Sequence, residues 1–158
     1  MKLLQLLLLL FCLQLHPAVA SQKEVACLTV AIYKEARGES EKGQYAVAQV
    51  IMNRAKHFYY PPSVCKVVKQ KHQFSWYKGA TPEFRKLIRG DLRGFKSKDI
   101  SAYQKAKQIA LRAFYGLADP IPALENSLWF TTKNIRPGWS RKLKVVARIG
   151  NHVFYAKK

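Results

Sequence analysis

Apolar residues recur at every third or fourth position after about the first twenty residues, as they do on one face of an α-helix. This spacing predicts a helix from Glu24 to Arg37, with Gly38 as a natural place for it to end. Ser40 is suited to cap a second helix, which continues to about Lys56. The second helix is apolar over much of its circumference, so we expect it to form the core of the domain.

The middle of the chain alternates between short helical segments and loops. Ser63 is placed to cap a short helix, and residues 72–81 form an aromatic loop with a turn at Gly79. We expect a further helix from Pro82 to Ile88. A polar, basic loop over residues 90–98 follows it, and helical spacing returns from Ser101 to Gly116.

The C-terminal part changes from helical to strand-like patterning. Residues 128–132 favour a strand, and residues 145–149 and 152–155 flank Gly150-Asn151, a dipeptide suited to a tight hairpin. The chain shows no internal repeat and no linker. The pattern predicts an α+β fold, a mostly helical single domain with a small C-terminal β-hairpin or sheet.

The N-terminus has the pattern of a secretory signal peptide. Lys2 precedes an apolar run from Leu3 to Leu15, and small residues at Ala18 and Ala20 form an A-x-A ending. The apolar run is shorter than the ~20 residues that a membrane-spanning helix needs, which argues against the alternative of an anchor. We therefore expect residues 1–20 to be a signal peptide and residues 21–158 to be the mature domain.

The chain is strongly basic, with 28 Lys and Arg against 9 Asp and Glu and a formal charge of +19. Such a charge favours anionic partners: nucleic acid, acidic lipid or the acidic polymers of a cell envelope. Cys27 and Cys65 remain after signal cleavage, and they are either a disulfide of an oxidising compartment or two buried thiols. The scattered histidines do not suggest a zinc site, and we expect no metal and no cofactor.

Glu35 is the first candidate for chemistry, because it lies at the end of an apolar helix. Partial desolvation there would raise the pKa of its carboxyl and make it usable as a general acid, as glycoside cleavage requires. Glu39 and Glu41 follow close by, next to Arg37. The alternative is that all three glutamates are surface charges near helix ends.

Several segments, in order, resemble the SleB-type cell wall hydrolases, a family of spore-cortex-lytic enzymes and related bacterial and phage lysis proteins. The resemblance is carried by AIYKEARGE at residues 31–39, GQYAVA at 43–48, VIMNR at 50–54, VCKVV at 64–68, QFSW at 73–76, DP at 119–120, RPGW at 136–139 and RIGNHVFY at 148–155. Together these segments span nearly the whole of the predicted mature chain.

The resemblance implies a lysozyme-like fold and cleavage of the MurNAc–GlcNAc bond of peptidoglycan. It places the catalytic acid/base at Glu35, acting as in a lytic transglycosylase that forms 1,6-anhydro ends; a hydrolase forming reducing ends is the alternative. Glu39 is expected to be structural, pairing with Arg37 or favouring the next helix N-terminus, with an auxiliary catalytic role as the alternative.

The expected substrate-binding residues are Gln73, Ser75, Trp76 and Trp129, since indole faces stack on sugars while amide and hydroxyl groups bond to their substituents. Core packing is the alternative for Trp76. His152 is expected to stabilise the hairpin turn. Asn53 and Arg54 are expected to anchor the end of the second helix, with substrate contact by Arg54 as the alternative.

The expected partners are peptidoglycan glycan strands and anionic cell envelope polymers, without nucleic acid and without a stable membrane anchor after signal cleavage. We expect a monomer secreted across the inner membrane into the periplasm or the cell wall. The competing hypotheses are a non-catalytic secreted cationic protein that binds the envelope, and a basic nuclease. The second lacks the metal cluster or histidine pair that phosphodiester cleavage usually needs.

Overall fold

The computed structural model describes residues 16–158, with side chains from Ala20 onward. Within these residues, five α-helices are followed by a three-stranded antiparallel sheet, and short 3₁₀ turns lie at Pro122–Leu124 and Gly138–Lys142. The helices are α1 (His16–Ala36), α2 (Glu41–Lys56), α3 (Val64–Val68), α4 (Pro82–Arg89) and α5 (Ser97–Phe114), and the strands are β1 (Trp129–Thr132), β2 (Leu143–Ile149) and β3 (His152–Lys157). This architecture confirms the predicted α+β class with its small C-terminal sheet.

Side-chain caps fix the starts of three helices. The Oγ atom of Ser40 accepts a hydrogen bond from the backbone N–H of Gly43 at 3.2 Å, and Ser63 caps α3 in the same way through Lys66. Thr81 caps α4 through the N–H of Phe84. Each cap satisfies a backbone donor that has no partner within the helix, so these polar residues determine where the chain turns.

Two predicted helix starts are wrong. Helix α1 begins at His16, eight positions before the expected Glu24, and α5 begins at Ser97 and not at Ser101. The first turn of α5 is polar and contains Asp99, which favours a helix N-terminus electrostatically. Hydrophobic spacing does not detect such a turn, because no apolar face is needed there.

The core lies between α1 and the elements packed around it. Helix α1 packs against each of the four other described helices, and α2 packs against α1, α3 and α5 while also contacting the sheet. The prediction that α2 forms the core is therefore incomplete, because α1 is buried equally well: Leu28 and Ile32 are fully buried, as are Val47 and Ile51 of α2.

The sheet has the strand order β1-β3-β2 with β3 in the centre. Strands β2 and β3 form the predicted hairpin around Gly150-Asn151, and Gly150 adopts a φ of 57°. A register shift between Val145 and Ala147 marks a bulge in β2. Strand β1 pairs with β3 from Trp129↔Tyr155 to Thr132↔His152, which brings its far end to the hairpin turn.

The end of α2 is tied to the segment that enters the sheet. Asn53 Nδ2 donates to the carbonyls of Leu124 and Ser127 at 2.8 and 3.0 Å, and Arg54 Nε donates to the carbonyl of Leu128 at 2.7 Å. The predicted anchoring role of both residues is confirmed. These bonds set the position of β1 relative to the helices.

The predicted signal peptide lies mostly outside the described residues, since residues 1–15 are not described. Residues 16–20 form the first turn of α1. No helix in residues 16–158 combines the length and apolar character that a membrane span requires. Cleavage before Ser21 stays a prediction.

Cys27 of α1 and Cys65 of α3 form a disulfide, with their Cα atoms 5.1 Å apart and 38 positions between them in sequence. Both residues are buried. Of the two alternatives for this pair, a disulfide and free thiols, the structure has the disulfide.

We expect the double variant Cys27→Ala/Cys65→Ala to lose about 2–4 kcal/mol of unfolding free energy, because the bond restricts a long loop in the unfolded chain. Urea unfolding of the oxidised protein and the variant measures this difference. Wild type reduced with dithiothreitol is the control and should unfold close to the variant. Equal midpoints for the oxidised protein and the variant would contradict the assignment.

Candidate active site

An open cavity of about 860 Å³ lies between the loop that follows α3 and the end of the sheet. The ends of three elements contribute side chains to it: Glu35 from α1, Arg54 from α2 and His152 from β3. The other lining residues come from the loop and from the segment around β1: Lys69, Lys71, His72, Gln73, Phe74, Ser75, Tyr77, Lys78, Gly79, Phe130, Thr131, Thr132 and Ile135.

Glu35 lies in the last turn of α1 and is held by one strong hydrogen bond. The indole Nε1–H of Trp76 donates to its Oε1 atom at 2.5 Å. Burial raises the pKa of the Glu35 carboxyl above its ordinary value of 4.5, while the Trp76 hydrogen bond and the charge of Arg54 act in the opposite direction. Burial is the largest of these effects, so the protonated form persists to higher pH than in water.

Arg54 places a buried cation beside this carboxyl. The residue is only 2% exposed, and its guanidinium lies 5.6–5.8 Å from the ring centroids of Tyr60, Phe74 and Phe130. Burial lowers the pKa of Arg54, whereas Tyr60 and Glu35 raise it. Its Nη1 atom has no hydrogen-bond partner among the described residues. Arg54 is thus both the predicted anchor and a wall of the cavity.

His152 is a cavity residue, and this corrects the expectation that it stabilises the hairpin turn. It is 4% exposed, and its Nδ1 atom has no hydrogen-bond partner in the described part of the chain. Its ring packs edge-on against Phe130 with centroids 5.5 Å apart. Burial lowers the pKa of His152, opposed by the charge of Glu39, so a neutral imidazole is favoured at neutral pH.

Glu39 performs the turn-stabilising role instead. Its carboxylate accepts hydrogen bonds from the backbone N–H and the side-chain Nδ2 of Asn151, at 3.1 and 3.0 Å. The predicted pairing of Glu39 with Arg37 is wrong, because Arg37 bonds to Tyr33 and forms an ion pair with Asp99. Glu39 does not line the cavity.

The predicted substrate-binding residues separate into two groups. Gln73 and Ser75 line the cavity, and Trp76 contacts Glu35 from the same loop. Trp129 does not line the cavity, whereas the next three residues of β1, Phe130, Thr131 and Thr132, do.

Sequence reasoning missed the basic part of the wall and the aromatic residue Phe130. The lysines cluster within ten positions of the loop, at Lys69, Lys71 and Lys78, and this clustering was a detectable signal. Within residues 16–158, no three histidine, cysteine, aspartate or glutamate side chains are grouped so that they could hold a metal ion.

Comparison with known proteins identifies the family. A protein-family model described as Cell Wall Hydrolase matches residues 38–155, about three quarters of the chain. The chain belongs to this cell wall hydrolase family. The match begins at residue 38, three positions after Glu35.

Curated relatives are spore cortex-lytic enzymes. Those of Oceanobacillus iheyensis and Bacillus subtilis strain 168 are 28% and 27% identical over 138 residues, which is 87% of this chain. These regions make up 43% and 39% of the two relatives. The chain therefore spans about two fifths of the length of the curated relatives that it matches.

Solved structures share the fold. The catalytic domain of the germination-specific lytic transglycosylase SleB from Bacillus anthracis is 26% identical, with a TM-score of 0.60 over 85% of this chain and 94% of that domain. The catalytic domain of Bacillus cereus SleB is 24% identical, with a TM-score of 0.61 over 85% of this chain and 90% of that domain. The predicted SleB-type family and lysozyme-like fold are confirmed.

The contact between Glu39 and the hairpin turn gives a test of how the site is held. A Cβ atom at Gly150 would lie 1.9 Å from Glu39 Oε2, whereas one at Gly116 would meet nothing within 4 Å, although both glycines have a positive φ. We expect Gly116→Ala to cost about 1–2 kcal/mol from backbone strain alone. Gly150→Ala should cost about 1 kcal/mol more, because it displaces the Glu39 carboxylate from its hydrogen bonds.

Urea unfolding of both variants measures the difference, and the Glu39→Ala background is the control. In that background the two glycine substitutions should cost the same. An excess cost of Gly150→Ala that persists without the Glu39 carboxylate would show that the contact is not its cause.

Proposed function

We propose that this chain cleaves the MurNAc–GlcNAc bond of peptidoglycan as a lytic transglycosylase, with Glu35 as the acid and base. Membership of the cell wall hydrolase family supports peptidoglycan as the substrate. The likeness to the Bacillus anthracis catalytic domain, which is described as a lytic transglycosylase, supports the reaction type. The chain corresponds to nearly the whole of that domain.

The observation that carries the proposal is the environment of the Glu35 carboxyl. A general acid must hold its proton near the working pH and must present it to the bond that breaks. Burial raises the pKa of Glu35, and the residue lines an open cavity that a sugar chain can enter. Trp76 occupies Oε1, and Oε2 makes no hydrogen bond with the described residues, which leaves Oε2 to carry the proton.

The proposed reaction proceeds in two proton transfers. Protonated Glu35 gives its proton to the glycosidic oxygen as the bond from C1 of the muramic sugar breaks, and the leaving glucosamine departs as an alcohol. The resulting carboxylate then removes the proton from the C6 hydroxyl of the same muramic sugar. The C6 oxygen bonds to C1, which closes the 1,6-anhydro ring and restores protonated Glu35.

This scheme requires one carboxyl group, and the cavity offers one. Among its described lining residues, Glu35 is the only aspartate or glutamate. Glycosidases that use water generally need a second carboxylate, as nucleophile or as base. Glu39, four positions away, is engaged with the hairpin turn. The geometry therefore favours the transglycosylase over the two-carboxylate hydrolase.

The loop after α3 supplies the proposed substrate contacts. Gln73 and Ser75 present amide and hydroxyl groups suited to the acetamido and hydroxyl substituents of the glycan. The buried Arg54 lies close enough to favour the Glu35 carboxylate electrostatically, which stabilises the state that follows the first proton transfer. Export to the periplasm or the cell wall, where the substrate lies, belongs to the same proposal.

We expect Glu35→Gln to abolish peptidoglycan cleavage, because the amide retains the shape of the side chain and cannot transfer the proton. A zymogram and mass spectrometry of released muropeptides measure this, with anhydro ends expected for wild type. Urea unfolding at pH 7 should show the variant at least as stable as wild type, because a carboxyl with a raised pKa loses stability as pH rises above it.

Retained cleavage by a folded Glu35→Gln variant would overturn the catalytic assignment. Reducing ends in place of anhydro ends would identify the protein as a hydrolase. Binding to peptidoglycan with no cleavage by wild type would favour the non-catalytic cationic binder.

We expect Trp76→Phe to move the alkaline limb of the pH–rate profile to higher pH. The indole hydrogen bond lowers the pKa of Glu35, so its removal lets burial raise that pKa further. The profile of kcat/KM against pH measures the shift. Trp139→Phe is the matched control: Trp139 is exposed and packs on Tyr155, so its replacement should leave the limb in place. A limb that moves to lower pH in Trp76→Phe would contradict this account of the site.

A further inference from the structure

A second concave region lies apart from the active-site cavity and combines lysines with exposed aromatic rings. This basic groove has a volume of about 460 Å³ and includes Lys56, His57, Lys144 and Lys157 in its lining. It shares no lining residue with the cavity around Glu35. Glu125 is the only aspartate or glutamate side chain among its described lining residues.

Phe58 and Tyr59 project from the loop after α2 beside this groove, and we name them the aromatic tip. Phe58 is 80% exposed and Tyr59 is 62% exposed, the first being the most exposed large hydrophobic residue described. Burying such rings away from water is favourable, so exposure to this degree indicates a surface that they contact in use.

The rings of the aromatic tip contact one another and the neighbouring side chains. Phe58 stacks on His57 with ring centroids 4.7 Å apart, and its ring is tilted against that of Tyr59 with centroids 4.0 Å apart. Lys157 Nζ lies 4.6 Å from the Tyr59 centroid. Most of the surface of both side chains stays exposed, so the pair presents apolar surface beside the lysines of the groove.

The charges around the tip suit an anionic surface. Lys56, Lys144 and Lys157 lie in the groove beside it. Aromatic side chains concentrate at the boundary between headgroups and acyl chains, and neighbouring lysines are attracted to anionic lipid. An exposed aromatic pair flanked by lysines therefore has both components of a peripheral lipid-binding site.

We propose that the aromatic tip and the basic groove form a docking site for an anionic phospholipid surface. Phe58 and Tyr59 enter the headgroup layer, and the three lysines contact lipid phosphates. Docking through this site leaves the separate cavity around Glu35 available. The site holds the protein at a membrane without a spanning segment, and it does not depend on the proposed reaction.

Sedimentation with vesicles tests the proposal. We expect the full chain to bind vesicles of equal parts phosphatidylglycerol and phosphatidylcholine, and to bind phosphatidylcholine alone at least about tenfold more weakly. Phe58→Ala/Tyr59→Ala should reduce binding to the anionic vesicles about tenfold. Residues 1–20 are common to all proteins compared, so any contribution they make cancels.

The matched control is Tyr115→Ala/Leu117→Ala, which removes another exposed aromatic and aliphatic pair, 50% and 69% exposed, outside the groove. It should bind as wild type does. The lysines are tested in the same way. The triple variant Lys56→Gln/Lys144→Gln/Lys157→Gln should weaken vesicle binding far more than a control with glutamine at the exposed α5 lysines Lys98, Lys105 and Lys107. If the groove lysine variant and the α5 lysine variant lose vesicle binding equally, the proposed docking site is wrong, because net charge alone would then explain the binding.

Binding to lipid-free peptidoglycan sacculi tests whether the site instead recognises the cell wall. The aromatic tip variant should bind sacculi as tightly as wild type does. If the variant loses sacculus binding and keeps vesicle binding, the site is a wall-polymer site and the lipid proposal fails. Cleavage of soluble peptidoglycan fragments should be unchanged in the tip variant, which separates this test from that of Glu35.

Discussion

The buried guanidinium of Arg54 joins the helical half of the molecule to the sheet, and the candidate active site depends on that junction. Its Nε donates to the carbonyl of Leu128, just before β1, and its charged end lies among three aromatic rings. A buried cation is costly unless it is compensated. The compensation comes from the Leu128 carbonyl, from the ring faces and from the charge of Glu35. Removing Arg54 would therefore disturb the anchoring of β1 and the electrostatic environment of the Glu35 carboxyl together.

The pKa of the Glu35 carboxyl results from opposing effects of its surroundings. Burial alone would raise its pKa and keep it neutral, whereas Arg54 and Trp76 favour the charged form. A group that acts first as acid and then as base benefits from such opposition, because neither protonation state is strongly disfavoured. The fold achieves this by ending α1 beside the end of α2 and by placing the Trp76 loop over both.

Local features of the chain were predictable from sequence, whereas contacts between distant residues were not. The caps at Ser40 and Ser63 and the hairpin at Gly150-Asn151 depend on neighbouring residues, and all three are found in the structure. The partner of Glu39 lies 112 positions away, at Asn151, so no spacing rule could identify it. The early start of α1 was missed because its first turns adjoin an apolar run that has no helical periodicity. Phe130 was missed because its place in the cavity wall depends on how β1 packs against distant parts of the chain.

The interruption between α1 and α2 explains how one short motif can serve both the proposed chemistry and the architecture. On a continuous helix, carboxyls four positions apart would lie on one face, and each would raise the pKa of the other. Helix α1 ends at Ala36 and α2 begins at Glu41, so the chain turns between Glu35 and Glu39. Glu35 consequently lines the cavity, while Glu39 binds the hairpin turn next to His152. The turn thus leaves Glu35 as the single carboxyl among the described lining residues of the cavity and uses Glu39 to hold the hairpin turn beside His152. This is the arrangement that the proposed one-carboxyl mechanism requires.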